Sequence, residues 1–337
     1  MLRTGTIIIP TREDTDMAFD IRGFYDRLDE YYAGYDNAAT EQFLKDSLAE
    51  AESFMIIPSH CCSCDDHMDH TPEEQVEAMS DEERQWILEC SDARVAVLNE
   101  MACFYRGISD FDRCLECFRA VEEELQARGM ENNSSYAVVE LNLAGALRLM
   151  GRLDEALETF KKAEAVLLAS ANTDDYELAG LYNNTGLVYQ DMEQLELAAE
   201  NFEKALTYLV KVPDNDAEIA TNHANLAITY YKLGKKEEAE RCLDKALALF
   251  ETLDGGMNPH YAGALNTKAA VAYQAGRFEE AAKLFVCAAE KTKQIFGESK
   301  DYAVLCRNAS AAFAQDGDKA SADRYAALAK AVMDRIS

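Results

Sequence analysis

The sequence predicts an all-α protein, an α-solenoid of stacked antiparallel helix pairs with an N-terminal helical cap. Three observations predict it. Alanine and leucine dominate a chain with only 5 prolines and 16 glycines, a composition that favours helix. No long alternating β-branched run appears beyond the short Ile7–Ile9 stretch. Above all, one unit of about 42 residues recurs along most of the chain.

The chain has 337 residues and is 48% hydrophobic, enough to bury a core. Residues 17–55 read as two helices, with Phe24, Leu28, Tyr31 and Tyr32 at helical spacing. They form the expected cap, residues 1–55. Residues 56–91 form an acidic insert. Within it, Thr71 to Glu74 and Ser80 to Glu83 carry helix-start patterns, so two short helices are expected there. Residues 92–337 hold six repeats.

The repeat shows in four segments that begin LAGALRL, TGLVYQD, LAITYYK and KAAVAYQ. A small residue of the second helix falls at Cys114, Ala156, Ala198, Ala239, Ala281 and Ala322, with spacings of 42, 42, 41, 42 and 41 residues. Four residues on stands a bulky side chain: Phe118, Phe160, Phe202, Leu243 and Phe285, with the smaller Ala326 in the last unit. First helices carry Ala102, Ala144, Gly186, Ala227, Ala269 and Ser310, small enough for a partner helix to approach closely. Turns often hold glycine, as where a helix ends left-handed (Gly151, Gly234, Gly276, Gly317). No single pair can bury both its faces, so each stacks on its neighbours.

This small–aromatic–Gly–Ala–Phe–Ala pattern resembles the tetratricopeptide repeat family over about residues 94–330. The usual unit is about 34 residues. The longer unit here is similar to that of kinesin light chains and many bacterial members. Cys114 in place of Ala and Glu193 in place of Gly depart from the pattern. A tyrosine opens the next first helix at Tyr136, Tyr176, Tyr261 and Tyr302, and NPHYA at 258–262 resembles the HPxxA junction of the longer variant.

The resemblance implies a right-handed superhelix whose first helices line a concave groove. Asparagine recurs two residues before the small residue at Asn142, Asn184, Asn225 and Asn308; Glu100 and Thr267 occupy the place in the other units. One side chain per unit then projects in nearly the same direction. The amide has both a donor and an acceptor for a peptide backbone. The resemblance carries peptide holding onto these four residues. The alternative is hydrogen bonding between neighbouring repeats. Arg148, Gln190, Tyr231, Tyr273 and Gln315 border the same surface more loosely, and Arg148, Lys232 and Arg307 are basic spots suited to a ligand carboxylate. Tyr231 and Tyr273 also suit packing, as does His223. The full Lys/Asn/Lys/Arg set of carboxylate-clamp members is not visible, so a chaperone tail is not expected.

The expected partner is a protein or peptide segment. The formal charge of −29 disfavours nucleic acid and anionic membranes. Residues 1–91 carry 22 acids against 6 bases, so over half the net charge sits in about a quarter of the chain. No apolar run is long enough to span a membrane and the start does not read as a signal peptide, so the expected location is cytoplasmic. No phosphate loop, GxSxG or HExxH appears, and the protein is expected to be no enzyme.

The exception to the repeat grammar is SHCCSCDDHMDH at 59–70. Cys61, Cys62, Cys64, His67 and His70 have the ligand chemistry of tetrahedral zinc, though C-x-C and H-x-x-H are tighter than the usual two-knuckle spacing. A zinc staple, a redox-labile loop and a linker are all open there. Three functions stay open for the chain: a scaffold or adaptor, a peptide-sensing regulator without a DNA-binding segment, and a metal- or thiol-dependent enzyme using the 60–70 loop.

Overall fold

A computed structural model describes residues 19–34, 36–55, 81–170, 173–254 and 258–336. The loop at 59–70 and the Thr71 helix start lie outside them. The chain divides into two compact units, Met1–Met150 and Gly151–Ser337.

Unit one holds α1 (Ile21–Ala33), α2 (Asn37–Met55), α3 (Asp81–Gly107), α4 (Phe111–Ala127) and α5 (Ser134–Leu149). Helices α1 and α2 stand where the sequence predicts two helices, within residues 17–55. Asp20 starts α1 by accepting from the Gly23 N–H at 2.9 Å. Phe24 and Leu28 of α1 meet Phe43 and Leu44 of α2 and Val97 and Met101 of α3 in one core. The boundary expected at 91/92 falls inside α3. That helix runs unbroken for 27 residues, because nothing between Asp81 and Arg106 is Gly or Pro. The short second helix of the insert is thus the start of the first repeat's first helix.

Unit two holds α6 (Leu153–Ala169), α7 (Asp175–Asp191), α8 (Leu195–Leu209), α9 (Asp216–Lys232), α10 (Lys236–Asp254), α11 (Pro259–Gln274), α12 (Phe278–Phe296), α13 (Lys300–Asp316) and α14 (Lys319–Ile336). All described elements are helices joined by short turns. Ala198, Phe202, Ala227, Leu243, Ala269, Ala281, Phe285 and Ala309 belong to one continuous core. Gly186 shows why the first helices need small residues. A Cβ there would stand 2.8 Å from two atoms of the Phe202 ring. In the last pair Ser310 takes the small place, and its hydroxyl donates to the Ala322 carbonyl at 2.8 Å.

The left-handed turn position is filled in every unit. Gly151, Gly234, Gly276 and Gly317 have φ of +75°, +74°, +76° and +90°. Where the sequence departs from glycine the conformation persists: Ser109 has φ +61° and Glu193 +57°. The pairs dictate the turn, and these two residues accept its strain.

Two register expectations need correction. Ala326 does not face inward. In α14 the buried positions are Ala322, Ala329 and Val332, and Tyr325 stacks on Phe313 at 5.6 Å. Tyr176 does not match the other opening tyrosines either: it is 48% exposed, while Tyr136, Tyr261 and Tyr302 are buried. Those three stand eight residues before their small residue; in α7 that register belongs to buried Leu178.

Candidate peptide-contact face

Each first helix turns its small residue toward its own second helix. The residue two positions earlier is rotated about 160° away around the helix, because each residue advances ~100°. Asn142, Asn184, Asn225 and Asn308 hold this position, and all four are half-buried.

In unit one the Asn142 Nδ2 donates to the Asn99 side-chain carbonyl across 3.2 Å, from α5 to α3. Arg106 donates to the Asn142 backbone carbonyl at 3.4 Å. The same arrangement recurs in unit two, between α9 and α7. Asn225 donates to the Asn183 side chain at 3.3 Å, joined there by Asn222, also at 3.3 Å. Gln190 donates to the Asn225 carbonyl at 3.4 Å and to the Thr229 hydroxyl at 2.8 Å. Asn99 and Asn183 stand three before the small residue, Arg106 and Gln190 four after it. These are polar ladders between neighbouring first helices.

The four asparagines therefore divide. Asn142 and Asn225 are engaged by the protein itself, in the inter-repeat bonding weighed against peptide contact. Asn184 and Asn308 make no side-chain hydrogen bond among the described residues. The flanking residues divide too. Gln190 belongs to the ladder, and Tyr231 and Tyr273 pack against the core of unit two. Burial raises the Tyr231 hydroxyl pKa. Lys232 is not an open cation: its ammonium sits 3.0 Å from the Glu193 carboxylate, in an exposed pair. Arg148 is half-buried, and Arg307 is exposed beside Asn308. His223 is half-buried with its Nδ1 unpartnered, and burial pushes its pKa down to about 4. It stays neutral near pH 7 through desolvation.

Three features escaped the sequence reading. One is the ladder partners Asn99, Asn183 and Arg106. Only the recurrence of Asn three before the small residue signalled them. The second is a cleft of about 190 Å³ in unit two, between α6, α7 and α8. Tyr182, Glu164, Asn201 and Lys204 line it, and the Tyr182 hydroxyl donates to Glu164 at 2.8 Å. Desolvation and that bond raise the tyrosine pKa. The third is the surroundings of Glu100. This carboxylate holds the asparagine position of α3 and lies within electrostatic range of Tyr25, Asp29 and Tyr32 of the cap.

Among the described residues no group of three or more His, Cys, Asp or Glu is placed to hold a metal ion. The candidate ligands Cys61, Cys62, Cys64, His67 and His70 lie outside those residues. The seven described cysteines form no disulfide among the described residues, and burial raises their pKa values. No described helix is long and apolar enough to cross a membrane.

Stacked helix pairs with small-residue first helices define an all-α solenoid, and solved structures share the fold. BtubC (BKLC) from P. vanneervenii aligns at a TM-score of 0.54 with 20% identity, over 73% of this chain and 92% of its own. PilW, a widely conserved type IV pilus biogenesis factor, aligns at 0.54 with 19% identity, over 70% and 92%. A putative kinesin light chain of Podosopora anserina, with nearly identical TPR-like repeats, aligns at 0.50 with 17% identity, over 61% and 98%. No curated protein sequence matches the chain. Residues 137–161 and 177–252 match tetratricopeptide repeat families, so the chain carries tetratricopeptide repeats over those residues.

Proposed function

We propose that the chain is a protein-interaction scaffold that holds an extended peptide segment along the outward face of its first helices. One observation carries this reading. In unit two a half-buried asparagine stands at one repeated position of α7, α9 and α13, on the side turned from each helix's own partner. At α7 and α13 its side-chain amide makes no hydrogen bond among the described residues. An amide offers a donor and an acceptor together, which suits a peptide unit of any sequence. Asn184 and Asn308 are thus the contact residues, and Asn225 supports them by fixing α9 against α7.

The test is a random dodecamer peptide array probed with the purified chain. The reading expects a set of retained peptides whose affinity falls about tenfold in Asn184→Ala with Asn308→Ala, the loss of one or two net hydrogen bonds. Melting temperature should be unchanged. Retained peptides that bind the double variant as tightly as the parent would sink the asparagine assignment.

A further inference from the structure

We propose that the cleft between α6, α7 and α8 of unit two is a pocket for one phenol ring, the side chain of a tyrosine on a partner protein. Its α7 wall includes Thr185, about 100° round the helix from Asn184, so it is a different face from the peptide-contact column.

The cleft exists because one residue departs from the repeat. Thr185 immediately precedes the small residue Gly186. The same place holds Met101 in α3, Leu143 in α5 and Leu226 in α9, all packed in the cores of their units. In α11 it holds Lys268, whose ammonium meets Asp244 at 2.6 Å, and in α13 the fully buried Ala309. The shorter Thr185 leaves space over Phe160 and Leu181, which are buried and form the floor. Lys161, Leu197, Glu200 and Lys204 are exposed and form the rim, so the cleft opens to solvent. Its volume is about 190 Å³. An apolar cavity of about 150 Å³ takes a benzene ring, and a drug-sized molecule needs about 300 Å³ or more. The space therefore suits a single substituted ring.

The polar groups select the substituent. Asn201 is only 8% exposed, and its Nδ2 donates to the Leu197 carbonyl at 2.8 Å. That bond fixes which end of the amide is which. The Oδ1 end accepts no hydrogen bond among the described residues, and the Thr185 hydroxyl makes none either. The other polar groups inside are committed. Tyr182 donates to Glu164 at 2.8 Å, and the Lys204 ammonium lies over the Tyr182 ring at 5.2 Å. Two lysines and two glutamates line the cleft, so it carries no net charge and favours a neutral occupant. Covering the Asn201 oxygen with an apolar group leaves a buried acceptor unpaired, which is costly. The occupant must bring a donor. A phenol hydroxyl donates to Asn201 Oδ1 and accepts from Thr185; an indole N–H can only donate.

The probes are p-cresol, toluene and 3-methylindole, titrated into the full chain by NMR and read at the Leu157 and Leu181 methyls. None has a peptide unit, so the asparagine column is not engaged and the two proposals fail separately. p-Cresol should bind about tenfold more tightly than toluene and more tightly than 3-methylindole. Thr185→Val keeps the shape and removes the hydroxyl; it should weaken p-cresol severalfold and leave toluene unchanged. Thr185→Leu restores the residue of α5 and α9. It should abolish binding of all three probes with a melting temperature no lower than the parent's. End-blocked Gly-Gly-Tyr-Gly-Gly should displace p-cresol, and its phenylalanine form should not. Toluene or 3-methylindole binding as tightly as p-cresol overturns the phenol assignment. So does p-cresol binding that both Thr185 variants leave unchanged. No shift at the two leucines with any probe, or a tyrosine peptide that fails to displace p-cresol, overturns the pocket for a partner's tyrosine.

Discussion

The two units are held together in different ways. In unit one the cap meets the repeats through specific polar contacts. Arg94 of α3 reaches Glu52 of α2 at 3.2 Å and Glu124 of α4 at 3.0 Å. Ser91 donates to the same Glu124 at 2.5 Å. Arg113 pairs with Glu41 of α2 and lies over the Tyr105 ring at 4.3 Å. In unit two the interior is alanine against phenylalanine, and the ion pairs between helices, such as Lys211 with Asp175 and Lys232 with Glu193, are exposed. Like units can share one apolar interlock, because the same knob meets the same hole each time. A hairpin that occurs once has no such recurring hole, so partner-specific charges fix its register.

The comparison can be broken most forcefully at the interlock. Phe202→Ala should destabilise unit two by about 3–5 kcal/mol in denaturant unfolding. Gly186→Ala should cost about 1–3 kcal/mol by overpacking. In a Phe202→Leu background the Gly186→Ala penalty should shrink, since the ring that meets the new Cβ is gone. Equal penalties in both backgrounds would show that the contact is not the cause. Next comes the latch of unit one. Arg94→Ala strips a guanidinium from two carboxylates and should cost about 2 kcal/mol, more than any single exposed pair of unit two at ~0–1 kcal/mol. A Lys232→Ala variant as damaging as Arg94→Ala would erase the distinction. The smallest effect has the opposite sign. Glu193→Gly should stabilise by about 1 kcal/mol, because it relieves a left-handed non-glycine residue and gives up only an exposed ion pair.

The interlock was legible in the sequence and the latch was not, for a physical reason. Burial by period needs only residue size, so Ala198 followed by Phe202, and Gly186 in the preceding first helix, could be read from spacing alone. Polar contacts depend on which of many similar side chains comes near. Arg94 and Glu124 are 30 residues apart, and nothing in either segment names the other. The asparagine column lay between these cases. Its position was readable, but its fate depends on the neighbour. Asn225 finds Asn183 and is engaged; Asn184, one residue from that acceptor, is not. Continuity of α3 was missed because a helix-start pattern at Ser80 resembled a separate short helix. Tyr176 stands two residues before the buried register that Leu178 holds, and an aromatic side chain at a junction does not by itself mark that register.

The central claim is that ligand backbone meets the unpartnered asparagines of unit two. It is tested most directly by the side-chain amide resonances of asparagine in a two-dimensional NMR titration with a peptide retained on the array. The account predicts that the Asn184 and Asn308 side-chain amides shift on saturation, and that those of Asn222 and Asn225, held in the ladder, move little. Shifts confined to residues around the cleft between α6, α7 and α8, with Asn184 and Asn308 unmoved, would contradict it.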